Sequence, residues 1–173
     1  PKYRIPMSAD DSAFESAAIV LRTSHTFEVP RGQVWAALDS DHAWSWLPFG
    51  CGVRYDEPCR RVGMEREMGT VSAPWRFLWI QRERFWRYEA PHRLTYSAVA
   101  GTWPLLQLWA EDYVLTSTPG GCTVDWTVAI TGCPCAGSNP FCGWSSRGVS
   151  VRVCGRSSRS WKARTYPGMR CKA

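Results

Sequence analysis

The sequence contains no run of about 18 apolar residues, the length that crosses a bilayer as a helix, so no membrane-spanning helix is expected. Its first 25 residues lack the basic start and long apolar stretch of a secretion signal, which predicts a cytoplasmic protein with its eight cysteines reduced. Five of them, Cys133, Cys135, Cys142, Cys154 and Cys171, never form paired C-x2-C knuckles and have no histidine close by, so no metal is expected. There is no P-loop and no dinucleotide fingerprint, hence no cofactor is implied. Histidine is scarce: His25 lies in a strand, His42 at a polar helix start and His92 in a turn, positions that predict solvated or structural roles.

What is present is apolar and aromatic. With 173 residues, 45% hydrophobic and 13% aromatic, the chain suffices for one domain with a sizeable core. The net charge of +6 is unevenly spread: residues 1–132 hold 13 Lys and Arg against 15 Asp and Glu, whereas residues 133–173 hold eight basic residues and no acid. Basicity confined to the tail, with no basic stripe interleaved with aromatics in the remainder, argues against specific nucleic-acid binding.

Residues 1–15 are polar, contain two prolines and show no periodicity, so they read as a loose leader to a domain over 16–132. Ile19 to Val29 is rich in β-branched residues and stops at Pro30, as a first strand would. Val34, Trp35 and Leu38 share one helical face after Pro30, and a second short helix is expected over Asp41–Phe49, closed by Pro48 and Gly50. Six strands follow, near 52–57, 67–73, 76–89, 93–100, 105–117 and 122–131, separated by short turns that predict an antiparallel meander.

Alternation assigns faces. Val124, Trp126, Val128 and Ile130 share one side of the last strand, as do Leu94, Tyr96 and Ala98 in theirs, and Phe77, Trp79, Gln81, Glu83 and Phe85 in the long one. For 105–117 the phase is open, because Trp109, Glu111, Tyr113 and Leu115 compete with Leu108, Ala110, Asp112 and Val114. Nine tryptophans in the first 132 residues favour a one-sided aromatic surface able to frame an apolar pocket. Trp126, Trp79, Tyr96, Phe85, Val128, Trp109, Trp46 and Leu94 are its candidate lining. Glu83 and Glu111 face inward as a proton-handling pair or, more plainly, pair with arginines such as Arg82, Arg84 or Arg87.

Several segments, in order, resemble the START-like (SRPBCC) superfamily, in its polyketide cyclase/dehydrase and lipid-transport branch. They are VPRGQVWAALDS, AWSWLPF, REMGTVSA, ERFWRYEAPHRLTYSAVAG and TPGGCTVDWTVAI, and together they cover about residues 18–131. The resemblance implies an α+β helix-grip fold: a curved antiparallel sheet of six to seven strands, two short helices after strand one, and a long C-terminal helix closing a cavity. It implies no single activity. The leading expectation is a carrier or sensor of a hydrophobic small molecule, lipid or polyketide-like. The alternatives are a cyclase, aromatase or dehydratase using the same cavity, and a regulatory or chaperone-associated interaction module.

Residues 133–173 depart from this pattern. They hold five Cys, seven Ser, six Arg and five Gly, and no Leu, Ile, Asp, Glu, Gln or His, so they lack the apolar stripe of a closing helix. Either the reading frame shifts near Gly132 or the tail is genuine; the first is the preferred reading, with Gly148–Cys154 able to add an improvised strand through Val149, Val151 and Val153.

Overall fold

A computed structural model of the protein describes residues 2–7, 9–45, 50–70, 79–132 and 149–154, the last group through its backbone alone. Its elements are β1 (Tyr3–Arg4), α1 (Ala13–Ser16), β2 (Ile19–Phe27), α2 (Arg31–Leu38), β3 (Gly50–Tyr55), β4 (Glu65–Thr70), β5 (Trp79–Glu89), β6 (Arg93–Gly101), β7 (Leu106–Thr118), β8 (Gly121–Gly132) and β9 (Val149–Cys154). The sheet order is β3-β4-β5-β6-β7-β8-β2-β9, with β1 also against β6. All neighbours are antiparallel except β2 and β9, which run parallel. This is the α+β helix-grip arrangement, with the six strands of the meander and the strand at 149–154 within a few residues of where the sequence puts them. The expectation that the closing helix is missing or disrupted falls on residues outside the described ones.

The meander forms because β-branched and aromatic runs are cut by residues that reverse the chain. Gly63 takes φ +85° in the turn before β4. Gly121 starts β8 where a Cβ would run into the carbonyl oxygen of Phe27, so only glycine lets β2 approach. After β2, Pro30 precedes α2, which buries Val34 and Trp35. The second expected helix opens instead as turns: Ala43 and Ser45 donate to the carbonyls of Ser40 and His42, at 3.0 Å each. Its remaining residues, 46–49, lie outside the described ones.

Buried side chains pack on both faces of the sheet. Val34, Trp35 and Trp44 join Phe85, Leu94, Tyr96, Tyr113, Leu115 and Val124 in the core of the inner face. On the outer face Ala13, Phe14 and Ala17 pack with Val20, Leu108, Ala110 and Ala129. Residues 2–7 and 9–15, part of the segment read as a loose leader, make contacts with the sheet: β1 pairs with β6, Phe14 stacks on Trp86 at 6.2 Å, and Asp11 takes both terminal nitrogens of Arg87 at 2.9 and 3.1 Å. The open phase of β7 follows from packing on both faces. Trp109, Glu111, Tyr113 and Leu115 face inward and Leu108 and Ala110 outward, and both rows are apolar because both are packed.

Charges order the β4–β5 pair. Glu65, Arg66 and Glu67 stand opposite Arg84, Glu83 and Arg82. Arg84 and Arg82 donate to Glu65 and Glu67 on the outer side, whereas Arg66 and Glu83 meet on the inner side at 2.6 Å, 2% and 0% exposed.

The cysteine expectation is also corrected: Cys59 is disulfide-bonded, while Cys122 is a free, buried thiol. Among the described residues no helix is long and apolar enough to cross a membrane.

Candidate functional site

The inner face divides along its length. At the end near the β7–β8 turn, α2 and the Asp41–Ser45 turns lie over it; Trp35 meets Tyr88 edge-on at 5.3 Å and Trp44 meets Trp126 at 5.7 Å. Among the described residues no helix lies over the other end, where the half-buried rings of Trp79 and Trp109 sit, with Trp126 between the two ends. The Trp79 ring rests on Gly101, where a Cβ would stand 3.0 Å from it.

Beneath these indoles is a buried polar floor. Glu83 takes Arg66 Nε at 2.6 Å and Gln81 Nε2 at 2.9 Å, and the Gln81 carbonyl receives Trp79 Nε1 at 3.3 Å. Arg66 also donates to the Tyr55 hydroxyl at 3.1 Å, and its guanidinium lies 4.5 Å from the Tyr96 ring centre. Two strands away, Glu111 accepts three hydrogen bonds, from Trp109 Nε1 at 2.7 Å, Tyr113 Oη at 2.7 Å and Trp126 Nε1 at 2.8 Å. Tyr96 lies directly opposite Glu111 across β6 and β7. Its hydroxyl is wholly buried and makes no hydrogen bond of good geometry.

Burial sets the electrostatics. It raises the Glu111 carboxyl above the ordinary range, and the nearby Glu83 adds to the shift, while the three donors pull the other way. The Tyr96 and Tyr113 hydroxyls are pushed far up by burial, with Glu111 adding in both cases. At the covered end Asp39 is raised by burial and is steadied by the Tyr88 hydroxyl at 2.8 Å. The result is a floor with one compensated ion pair and one carboxyl held by neutral donors. Among the described residues no group of three His, Cys, Asp or Glu is placed to hold a metal ion.

Seven of the eight candidate lining residues share this inner face. Trp79, Trp109 and Trp126 are half-buried, Val128 is buried, and Phe85, Tyr96 and Leu94 lie deep in the core at 1%, 0% and 2% exposure. Trp46 lies outside the described residues. Glu83 and Glu111 do point inward, but their partners are not the arginines beside them. Arg82 and Arg84 bind Glu67 and Glu65, and Arg87 binds Asp11, all on the outer side. Sequence neighbours in a strand point to opposite faces, so the cation that pairs with Glu83 comes from an adjacent strand, as Arg66 does, while Gln81 reaches it from two residues away on β5. Arg66 and Tyr55 were missed because pairing across strands is not local; the matching charge alternation of ERE at 65–67 and RER at 82–84 was the available signal.

Residues 18–162 match the model of the family described as polyketide cyclase/dehydrase and lipid transport. The chain belongs to this family. The match runs past residue 131, where the motif resemblance ends, and takes in β9. Solved structures of similar fold include protein NE0264 from Nitrosomonas europaea, at 19% identity and TM-score 0.53, covering 68% of this chain and 78% of that one. Protein CV1439 from Chromobacterium violaceum, at 19% identity and TM-score 0.51, covers 73% and 90%. TTHA0849 from Thermus thermophilus, at 12% identity and TM-score 0.52, covers 69% and 79%. Among curated proteins none matches the chain in sequence. Membership of the polyketide cyclase/dehydrase and lipid transport family, with this fold, supports a module that binds a hydrophobic molecule.

Proposed function

We propose that the protein carries a small hydrophobic molecule, of lipid or polyketide-like class, against the inner face between Trp79, Trp109 and Trp126. One observation carries this reading: all three indole N–H groups are spent on buried acceptors of the floor, Gln81 for Trp79 and Glu111 for the other two. What remains on the half-buried side of each ring is apolar surface, so a ligand lying there meets rings rather than donors, as an apolar molecule requires. Native mass spectrometry of the purified protein, with extraction and identification of what it holds, tests the reading directly. An apolar fluorescent probe is expected to bind saturably and to be displaced by long-chain or polycyclic lipids, with Trp109→Ala and Trp126→Ala both weakening it. Well-folded protein that binds no such probe overturns the proposal.

A second reading, acid–base chemistry on a polyketide-like chain, is favoured by the raised carboxyl of Glu111. The three donors converging on Glu111 weigh against it, because they hold the carboxyl as an acceptor within the floor. Turnover of a bound poly-β-ketone separates the two: carrying predicts none by wild type, while catalysis predicts turnover that Glu111→Gln stops with binding retained.

A further inference from the structure

The exposed apolar side chains of the described residues are not scattered. Of the six large ones, Tyr3, Met7, Trp103 and Leu105, exposed by 37%, 46%, 51% and 46%, gather at the β6–β7 end of the sheet. Backbone pairing brings them together: Tyr3 lies opposite Gly101, and the Met7 N–H donates to the Gln107 carbonyl at 3.1 Å. The turn between β6 and β7 that carries Trp103 and Leu105 is fixed. Thr102 donates from its N–H to the Ile80 carbonyl at 3.0 Å, and its hydroxyl receives the Ile80 N–H at 2.8 Å. Trp103 and Leu105 are thus presented on a turn tied to β5.

The segments that form this tip carry charge of one sign. Residues 2–7 and 99–108 contain Lys2 and Arg4 and no Asp or Glu, in a part of the chain where acids otherwise outnumber bases. Lys2 Nζ lies 5.6 Å from the centre of the Tyr3 ring. An apolar tip carrying Trp and Tyr, flanked by cations and free of carboxylates, has the composition that seats at the headgroup level of an anionic bilayer. A protein partner fits less well, since a stable interface engages about 20–30 residues a side and this tip offers four large exposed side chains.

We propose that the β6–β7 tip, through Trp103 and Leu105 with Tyr3, Met7, Lys2 and Arg4 around them, docks the protein on an anionic lipid surface. The docking stands whether or not the inner face carries a ligand. If it does, the geometry supplies a route, because Gly101 at the base of the tip is the residue on which the Trp79 ring rests. A lipid leaving the bilayer at the tip arrives at the end of the inner face that holds Trp79 and Trp109.

The test is co-sedimentation of the full chain with vesicles of phosphatidylcholine, with and without a third of phosphatidylserine, at low and high salt. Binding is expected to the phosphatidylserine vesicles and to weaken in salt. The double variant Trp103→Ser/Leu105→Ser is expected to lose about tenfold or more of that binding, with an unchanged circular dichroism spectrum that shows the fold is kept. Val62→Ser, which removes an exposed apolar side chain elsewhere, is the control and is expected to bind as wild type. Equal binding by the double variant, or no binding to either vesicle, overturns the proposal. So does a concentration-dependent dimer in sedimentation velocity that the double variant abolishes while vesicles stay unbound, since the tip then serves a second copy of the chain. Probe binding measured without vesicles reports on the inner face separately, so failure of one reading is told from failure of the other.

Discussion

Tyr113 and Trp126 face each other across β7 and β8 and donate to the same oxygen of Glu111. Their ring centres are 5.6 Å apart with planes 13° from parallel, and the donor atoms stand 2.7 and 2.8 Å from Oε2. Cross-strand stacking thus fixes two donors at once, and Trp109 supplies the other oxygen with its own. Trp126→Phe keeps a ring in the stack and removes one donor from a buried acceptor. The expected loss is about 1–3 kcal/mol of stability, read by urea unfolding, while Trp126→Ala loses more and also weakens probe binding.

The raised carboxyl of Glu111 gives a pH dependence with a definite sign. A group whose folded-state pKa lies above its unfolded value holds more protons folded than unfolded in the interval between the two. Its contribution is complete below the ordinary carboxylate range and is lost as pH rises through the folded value. Unfolding measured from acid to neutral pH is expected to show Glu111→Gln gaining on wild type as pH rises. A constant difference between the two across that range contradicts the assignment.

The buried pair Arg66–Glu83 supports a double-mutant cycle. Arg66→Met leaves Glu83 without its cation in the interior and is expected to cost about 3–5 kcal/mol, with Glu83→Leu similar. The double replacement is expected to recover most of the loss, because the desolvated charges leave together. Additive losses indicate that the two do not meet.

Phe14→Ala tests the outer face. Phe14 is 8% exposed and stacks on Trp86, so truncation is expected to cost about 2–4 kcal/mol. Probe affinity is expected to hold, because the ring lies on the side of the sheet away from Trp79, Trp109 and Trp126.

Residues 133–173 carry a prediction at the level of the gene. Read one base out of register from near the codon of Gly132, the coding sequence is expected to give a leucine-rich amphipathic segment of about 20 residues. Protein carrying that segment is expected to melt higher and retain ligand longer. Absence of such a segment from both alternative frames assigns the present tail to the protein itself.

Much of this architecture was legible because strand alternation is local. Leu94, Tyr96 and Ala98, or Val124, Trp126 and Val128, declare a shared side within a few residues of chain. What was hidden depends on contacts the chain makes with itself at a distance. The phase of β7 was obscured because Leu108 and Ala110 pack beneath α1, and a short polar segment around a single phenylalanine gives no periodicity from which to foresee that. Glu83 was matched to its neighbours Arg82 and Arg84, although the pleat sends those to the opposite face. The convergence of Trp109, Tyr113 and Trp126 on one carboxyl combines spacing of two residues within β7 with a register to β8, and only the first is visible in one strand.

The facing triplets Glu65-Arg66-Glu67 and Arg84-Glu83-Arg82 constrain how the chain reaches this state. A slip of one residue between β4 and β5 would set glutamate against glutamate and arginine against arginine, and would turn two of the outer glutamates toward the apolar interior. Mispaired intermediates are thereby penalised on charge and on burial together. The hairpin that carries Arg66 and Glu83 to the site is thus guarded against misalignment by the same residues that bind within it.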